Sequence, residues 1–107
     1  MRGESVKGHL DLLLLAELER GPGHGYALIE RLRQRSGGAF DFPEGTIYPA
    51  LHRLERGGLL TSRWSTGVAR RRRIYSMRRR GRAVLKDHLR EWRLFARAVE
   101  RVVGGAA

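Results

Sequence analysis

The chain has no cysteine, three prolines and few aromatic residues, 7% in all. Without cysteine it forms neither a disulfide nor a thiolate metal site, and nothing in it calls for an oxidising compartment. Long apolar runs are missing as well: Leu12 to Ala16 falls far short of the ~18 residues that span a bilayer. The opening segment, Met1 to His9, is too polar for a secretory signal, so a cytoplasmic protein without a membrane partner is expected. His9, His24, His52 and His88 are scattered without ligand spacing, which implies no metal and no cofactor. Acidic charge is scarce. Against 11 Asp and Glu stand 22 Lys and Arg, a net charge of +11, with Lys7 and Lys86 the only lysines. So large an excess on 107 residues favours a phosphate-rich partner, because basic groups that neutralise phosphates release condensed counterions. The length itself indicates one domain with a modest core, for which a partner subunit would add burial.

The chain is organised around the stretch Pro43 to Leu60. At ~100° per residue Ile47, Leu51 and Leu54 form one apolar stripe. The opposite face carries Gly45, Thr46, Tyr48, Pro49, His52, Arg53 and Arg56, which combines small residues, hydrogen-bonding groups and positive charge. Such a face can approach a polyanion closely. Pro49 removes the backbone bond to the Gly45 carbonyl, a loss a helix tolerates best in its first turns. Gly57-Gly58 then provides the left-handed stop.

Before this helix come two others. Leu10 to Glu19 is apolar on more than one side, and Gly21-Pro22-Gly23 breaks it. His24-Gly25-Tyr26 leads into a second helix that presents Leu28, Ile29 and Leu32 on one face and is ended by Ser36-Gly37-Gly38. After the third helix the period shortens. Leu59 to Trp64 and Arg71 to Met77 read as two strands of a hairpin with Arg70, Arg71, Arg72 and Arg73 near its tip. A charge run is usually only a solvated face; on a rigid hairpin beside a basic helix it grips phosphate. From Gly81 to Val103 the apolar positions recur by threes and fours, Leu85, Leu89, Trp92, Phe95, Ala96, Val99 and Val102 among them. That seam exceeds what a three-helix core covers, and it predicts a homodimer through this last helix, with His88 on the same side.

Three helices, a hairpin and a further helix is the order of a winged helix-turn-helix, in which the third helix enters the DNA major groove and the wing touches the backbone. The fold expected is therefore mainly α with a small β-hairpin, residues 1–77 forming the DNA-binding part and 78–107 a C-terminal dimerisation helix within one compact unit. The motifs His24-Gly25-Tyr26 and Gly45-Thr46-Ile47-Tyr48-Pro49-Ala50-Leu51, with Arg53-Leu54-Glu55, Gly58-Leu59, Trp64 and Arg71 to Tyr75, resemble the PadR-like transcriptional regulators. The likeness covers roughly residues 8–103 and extends to the small subclass with a single C-terminal helix.

That resemblance implies a homodimeric repressor that binds a near-palindromic operator in double-stranded DNA and is released by a small molecule. It places His24, Tyr26, Thr46, Tyr48, Pro49, His52, Arg53 and Arg70 to Arg73 at the DNA, with a packed, structural role as the equal alternative for Tyr26. Tyr48 and Thr46 are expected on phosphates, His52 and Arg53 on base edges. Some members bind flat aromatic compounds between the dimer helices, and Trp92 with His88 are the residues in place for such an effector. Two departures stand out. Arg78-Arg79-Arg80 replaces the usual cap of the last helix, leaving Ser76 as a cap one turn early, and Pro43 stands where the recognition helix is often capped. The competing class is a non-specific RNA- or nucleoid-binding protein, although single-stranded RNA modules want an aromatic sheet platform. An enzyme is not expected, since no nucleophile, base and oxyanion donors are grouped.

Overall fold

The computed structural model describes residues 3–66 and 71–104. Its elements follow the expected order: α1 (Gly3–Arg20), α2 (Gly25–Arg35), α3 (Glu44–Arg56), β1 (Leu60–Trp64), β2 (Arg73–Met77) and α4 (Arg79–Val103). The helix α1 begins seven residues before the Leu10 start that the apolar pattern indicated. Its first turns carry polar residues, which leave no periodic signal to read. Arg70 of the wing lies outside the described residues.

One core holds the chain together. Leu10, Leu14, Leu15 and Leu18 of α1 meet Leu28, Ile29 and Leu32 of α2, Ile47, Leu51 and Leu54 of α3, Leu60 of β1, Tyr75 of β2 and Leu85 of α4. Burying an aliphatic side chain of this kind stabilises by about 1.5–3 kcal/mol, so α1, with four in the cluster, is its centre. Glu17 is 2% exposed and is the buried charge of the described residues. Arg35 answers it with bonds of 2.6 and 3.3 Å, tying α1 to α2. Truncating Arg35 would leave that carboxylate uncompensated, which costs several kcal/mol.

The loop between α1 and α2 is more ordered than a breaker suggests. Gly23 pairs with Tyr75, its N–H donating to the Tyr75 carbonyl at 3.1 Å and its own carbonyl accepting at 2.9 Å. Arg31 covers the other carbonyls, reaching Gly21 at 3.2 Å and Pro22 at 2.9 Å. The wing therefore docks on the start of α2. Within the wing the strands are antiparallel, with Ser62 opposite Tyr75 and Trp64 opposite Arg73.

The ends of α3 and α4 are set by close approach. Pro43 is the N-cap of α3 and makes no side-chain cap bond. At the other end Gly58 has φ +81°, and Leu59 N–H bonds back to Leu54 while Gly58 N–H bonds to Glu55, the paired closure of a Schellman turn. Arg78, not Ser76, is the N-cap of α4, again without a side-chain bond. Its N–H donates to the Leu59 carbonyl at 3.0 Å. A side chain at Gly81 would collide with that same carbonyl and with Met77, so glycine lets α4 start against the turn.

From there α4 runs antiparallel to α1, with Arg82 near Glu19 at 3.3 Å and Trp92 edge-on to His9 at 5.1 Å between ring centroids. Beyond Leu89 it leaves the core. Its distal half accounts for the elongation of the molecule, 57 × 28 × 23 Å. Among the described residues no helix is long and apolar enough to cross a membrane.

Candidate nucleic-acid interface

The N-terminus of α2, the exposed side of α3 and the wing enclose a cleft of about 510 Å³. His24, Tyr26, Tyr48, His52, Arg71, Arg72 and Arg73 all line it, together with Trp64 and Glu44. Local chemistry explains how each is held. His24 is the N-cap of α2, its Nδ1 accepting the Ala27 N–H at 3.2 Å. A neutral ring that accepts at Nδ1 carries its proton on Nε2. That Nε2 lies 3.0 Å from Arg72 Nη1, so in this tautomer two donors converge. An anionic oxygen placed there satisfies both. Burial, then the neighbouring Arg72 and Arg31 charges, keep the His24 imidazole below its usual value and hence neutral at pH 7.

Tyr48 packs against Gly25, where a Cβ would stand 2.5 Å from its ring. The glycine of the His24-Gly25-Tyr26 motif thus admits the α3 tyrosine to the cleft. Tyr26 is 56% exposed and is not a packing residue. Pro49 and His52 are exposed on the outer side of α3, and Thr46 is half-buried.

The wing is built as a basic platform. Trp64 is 47% exposed and carries the guanidinium groups of Arg71 and Arg73 at 4.6 and 5.0 Å from its ring centroid. Cation–π contact of this type holds otherwise mobile arginines in place. Arg73 Nε also donates to Ser62 Oγ at 2.7 Å, and Ser62 Oγ donates to Glu55 at 2.6 Å, which ties the wing to α3. Tyr75 beneath is buried, and that burial, reinforced by Glu55, pushes its phenol up. Neither Trp64 as a platform nor the Glu55–Ser62–Arg73 chain is among the sequence-based site residues. Their signal is the strand register, which the sequence alone does not display.

Arg53 stands apart from this cleft. Its two terminal nitrogens are bonded to the two oxygens of Asp11 on α1, both at 2.8 Å. This bond raises the Arg53 pKa further. The residue expected to read a base edge is thus held on the α1 flank of α3 by a carboxylate.

On α4 the expected seam divides. Leu85 is 7% exposed and belongs to the core of its own chain, which corrects its placement at a dimer interface. His88, Leu89 and Ala96 are half-buried. Trp92, Phe95, Val99 and Val102 are exposed, as are Leu94 and Val103. Trp92 and Phe95 sit 6.2 Å apart in a tilted pair.

Comparison with known proteins agrees with this geometry. The model of the transcriptional regulator PadR-like family matches residues 14–87. The transcriptional regulator Rv3488 of Mycobacterium tuberculosis is 38% identical over 76 residues, which span 71% of this chain and 68% of that protein. Among solved structures, a transcriptional regulator from Clostridium thermocellum superposes with a TM-score of 0.86 at 26% identity, covering 96% of this chain and 98% of the other. The PadR protein of Bacillus subtilis, solved in complex with operator DNA, superposes with a TM-score of 0.68 at 26% identity over 75% of this chain and 45% of its own. The chain belongs to the PadR-like family of transcriptional regulators.

Proposed function

We propose that the chain is a repressor that binds a near-palindromic operator as a homodimer and is released by a small aromatic effector. The observation that carries the DNA-binding part is the cleft itself, where neutral His24, Tyr48, His52 and Arg71 to Arg73 present donors and cations side by side. In this reading Tyr26, Thr46, Tyr48 and the wing arginines contact phosphates, while His52 faces base edges in the major groove. Most of these groups then set affinity and few set the choice of site. The operator complex of the Bacillus subtilis relative supports the same use of the fold.

The exposed side chains Trp92, Phe95, Val99 and Val102 support dimerisation through the distal half of α4. A contiguous apolar face of this kind is ordinarily covered in a stable protein. Residues 1–77 then serve DNA and 78–107 the partner subunit. A flat effector would stack on Trp92 beside His88 and alter the spacing of the two recognition helices.

The test is fluorescence anisotropy with a duplex from immediately upstream of the gene against a scrambled duplex, at ~50 and ~200 mM salt. A complex that survives the higher salt only on the native sequence supports the repressor. Equal binding that collapses on both favours the second reading, a general nucleic-acid coat, which the +11 charge would sustain.

A further inference from the structure

The Arg53–Asp11 pair is the feature of the recognition helix that a DNA-contacting role leaves unexplained. Arg53 follows His52 on α3, and its side chain remains 49% exposed even while paired, at the edge of the face proposed for DNA. Asp11 is 21% exposed and offers both oxygens to the guanidinium fork. That fork takes a phosphate in the same planar, two-bond geometry as a carboxylate. A carboxylate here does two things at once. It occupies the donors Arg53 would lend to a polyanion, and it sets a negative charge beside the path of the backbone.

We propose that Asp11 is an internal stand-in for a DNA phosphate, holding Arg53 in the free protein and yielding it when the duplex arrives. The inference rests on the DNA-binding reading above. Because one anion replaces another on the same fork, the exchange is close to balanced, and Asp11 acts as a brake on affinity in a protein otherwise strongly basic. Its consequence is quantitative. Freed from Asp11, Arg53 meets a phosphate without first giving up a partner, so binding becomes tighter while the number of phosphates neutralised in the complex, and with it the salt slope, stays nearly the same.

The experiment compares the full chain with Asp11→Asn, Arg53→Ala and the double variant on a mixed-sequence duplex between ~50 and ~200 mM salt. Asp87→Asn on α4, an exposed carboxylate 3.8 Å from Arg90, removes the same formal charge without touching Arg53 and serves as the control. Asp11→Asn should tighten binding about fivefold more than Asp87→Asn does, the size expected when an exposed ion pair no longer competes. Its slope of log affinity against log salt should stay close to that of the control; a slope steeper by about 0.9, one additional phosphate, would mean that Arg53 stays on Asp11 in the unaltered complex and would overturn the exchange. In the Arg53→Ala background Asp11→Asn should add no more than the control. An Asp11→Asn protein that binds no better than Asp87→Asn, or binds less well, overturns the proposal and leaves the pair as a scaffold between α1 and α3. Equal tightening with and without Arg53 also overturns it, since simple repulsion by Asp11 would then suffice. Failure of the unaltered chain to bind any duplex at ~50 mM salt would instead refute the DNA-binding reading itself. Thermal melts of each variant separate loss of fold from loss of binding.

Discussion

The cleft and the distal half of α4 solve opposite problems. In the cleft, charged and polar groups are held by other polar groups of the same chain: His24 by Ala27, Arg73 by Ser62 and Glu55, Arg71 and Arg73 by the Trp64 ring. The arrangement is held by its own chain and open toward solvent, with the His24 and Arg72 donors left for an anion. On α4 beyond Leu89, Trp92 still meets His9, but Phe95, Val99 and Val102 are exposed, Val102 to 83%. The first region is prepared to receive a ligand, the second lacks a surface to bury against. Helix α1 stands between them, since His9 meets Trp92 on one side and Asp11 holds Arg53 on the other. On the function proposed above, polar preorganisation and unfilled apolar burial correspond to two different kinds of partner, a polyanion and a second copy of the chain.

The largest effect should come from charging the apolar side of this contrast. Phe95→Asp combined with Val99→Asp is expected to weaken self-association by about 100-fold or more, because two carboxylates would be buried without partners. Sedimentation should then give the mass of one chain at micromolar concentration, with the melting of the DNA-binding part little changed. Unaltered self-association would remove the distal half of α4 from the interface.

A smaller effect is expected in the cleft. Arg72→Ala should weaken native and scrambled duplexes alike, by about three- to tenfold, and flatten the salt slope by about 0.9. A loss confined to the native duplex would make Arg72 a reader of sequence and blur the distinction between wing and recognition helix.

The smallest concerns stability. The His24 pKa is lower in the folded protein than its usual 6.5, so the unfolded chain binds the proton more readily. Its contribution is present above pH 6.5 and is lost as the pH falls through the lower folded value. Protonation also ends the cap on Ala27, a bond of the class worth ~1 kcal/mol. His24→Gln should flatten the decline in melting temperature between pH 7 and pH 5, and a parallel decline in both proteins would show that another group is responsible.

The sequence by itself determined the order of elements, because each follows from local chemistry. The stripe of Ile47, Leu51 and Leu54 specifies a helix, Gly57-Gly58 its end, and the order of three helices, a hairpin and a further helix the winged fold. It also identified the cleft residues by type, since the basic and aromatic groups cluster in the two motifs and the wing. Tertiary structure alone decided where those groups point. Asp11 and Arg53 are 42 residues apart and meet only because α1 packs on α3, and Trp64 carries Arg73 only through strand register. The heptad pattern gave Leu85 and Val102 the same role, yet one is in the core of its chain and the other stands free. Periodicity reports which side of a helix is apolar; what covers that side depends on how far the core extends, and on α4 it ends near Leu89.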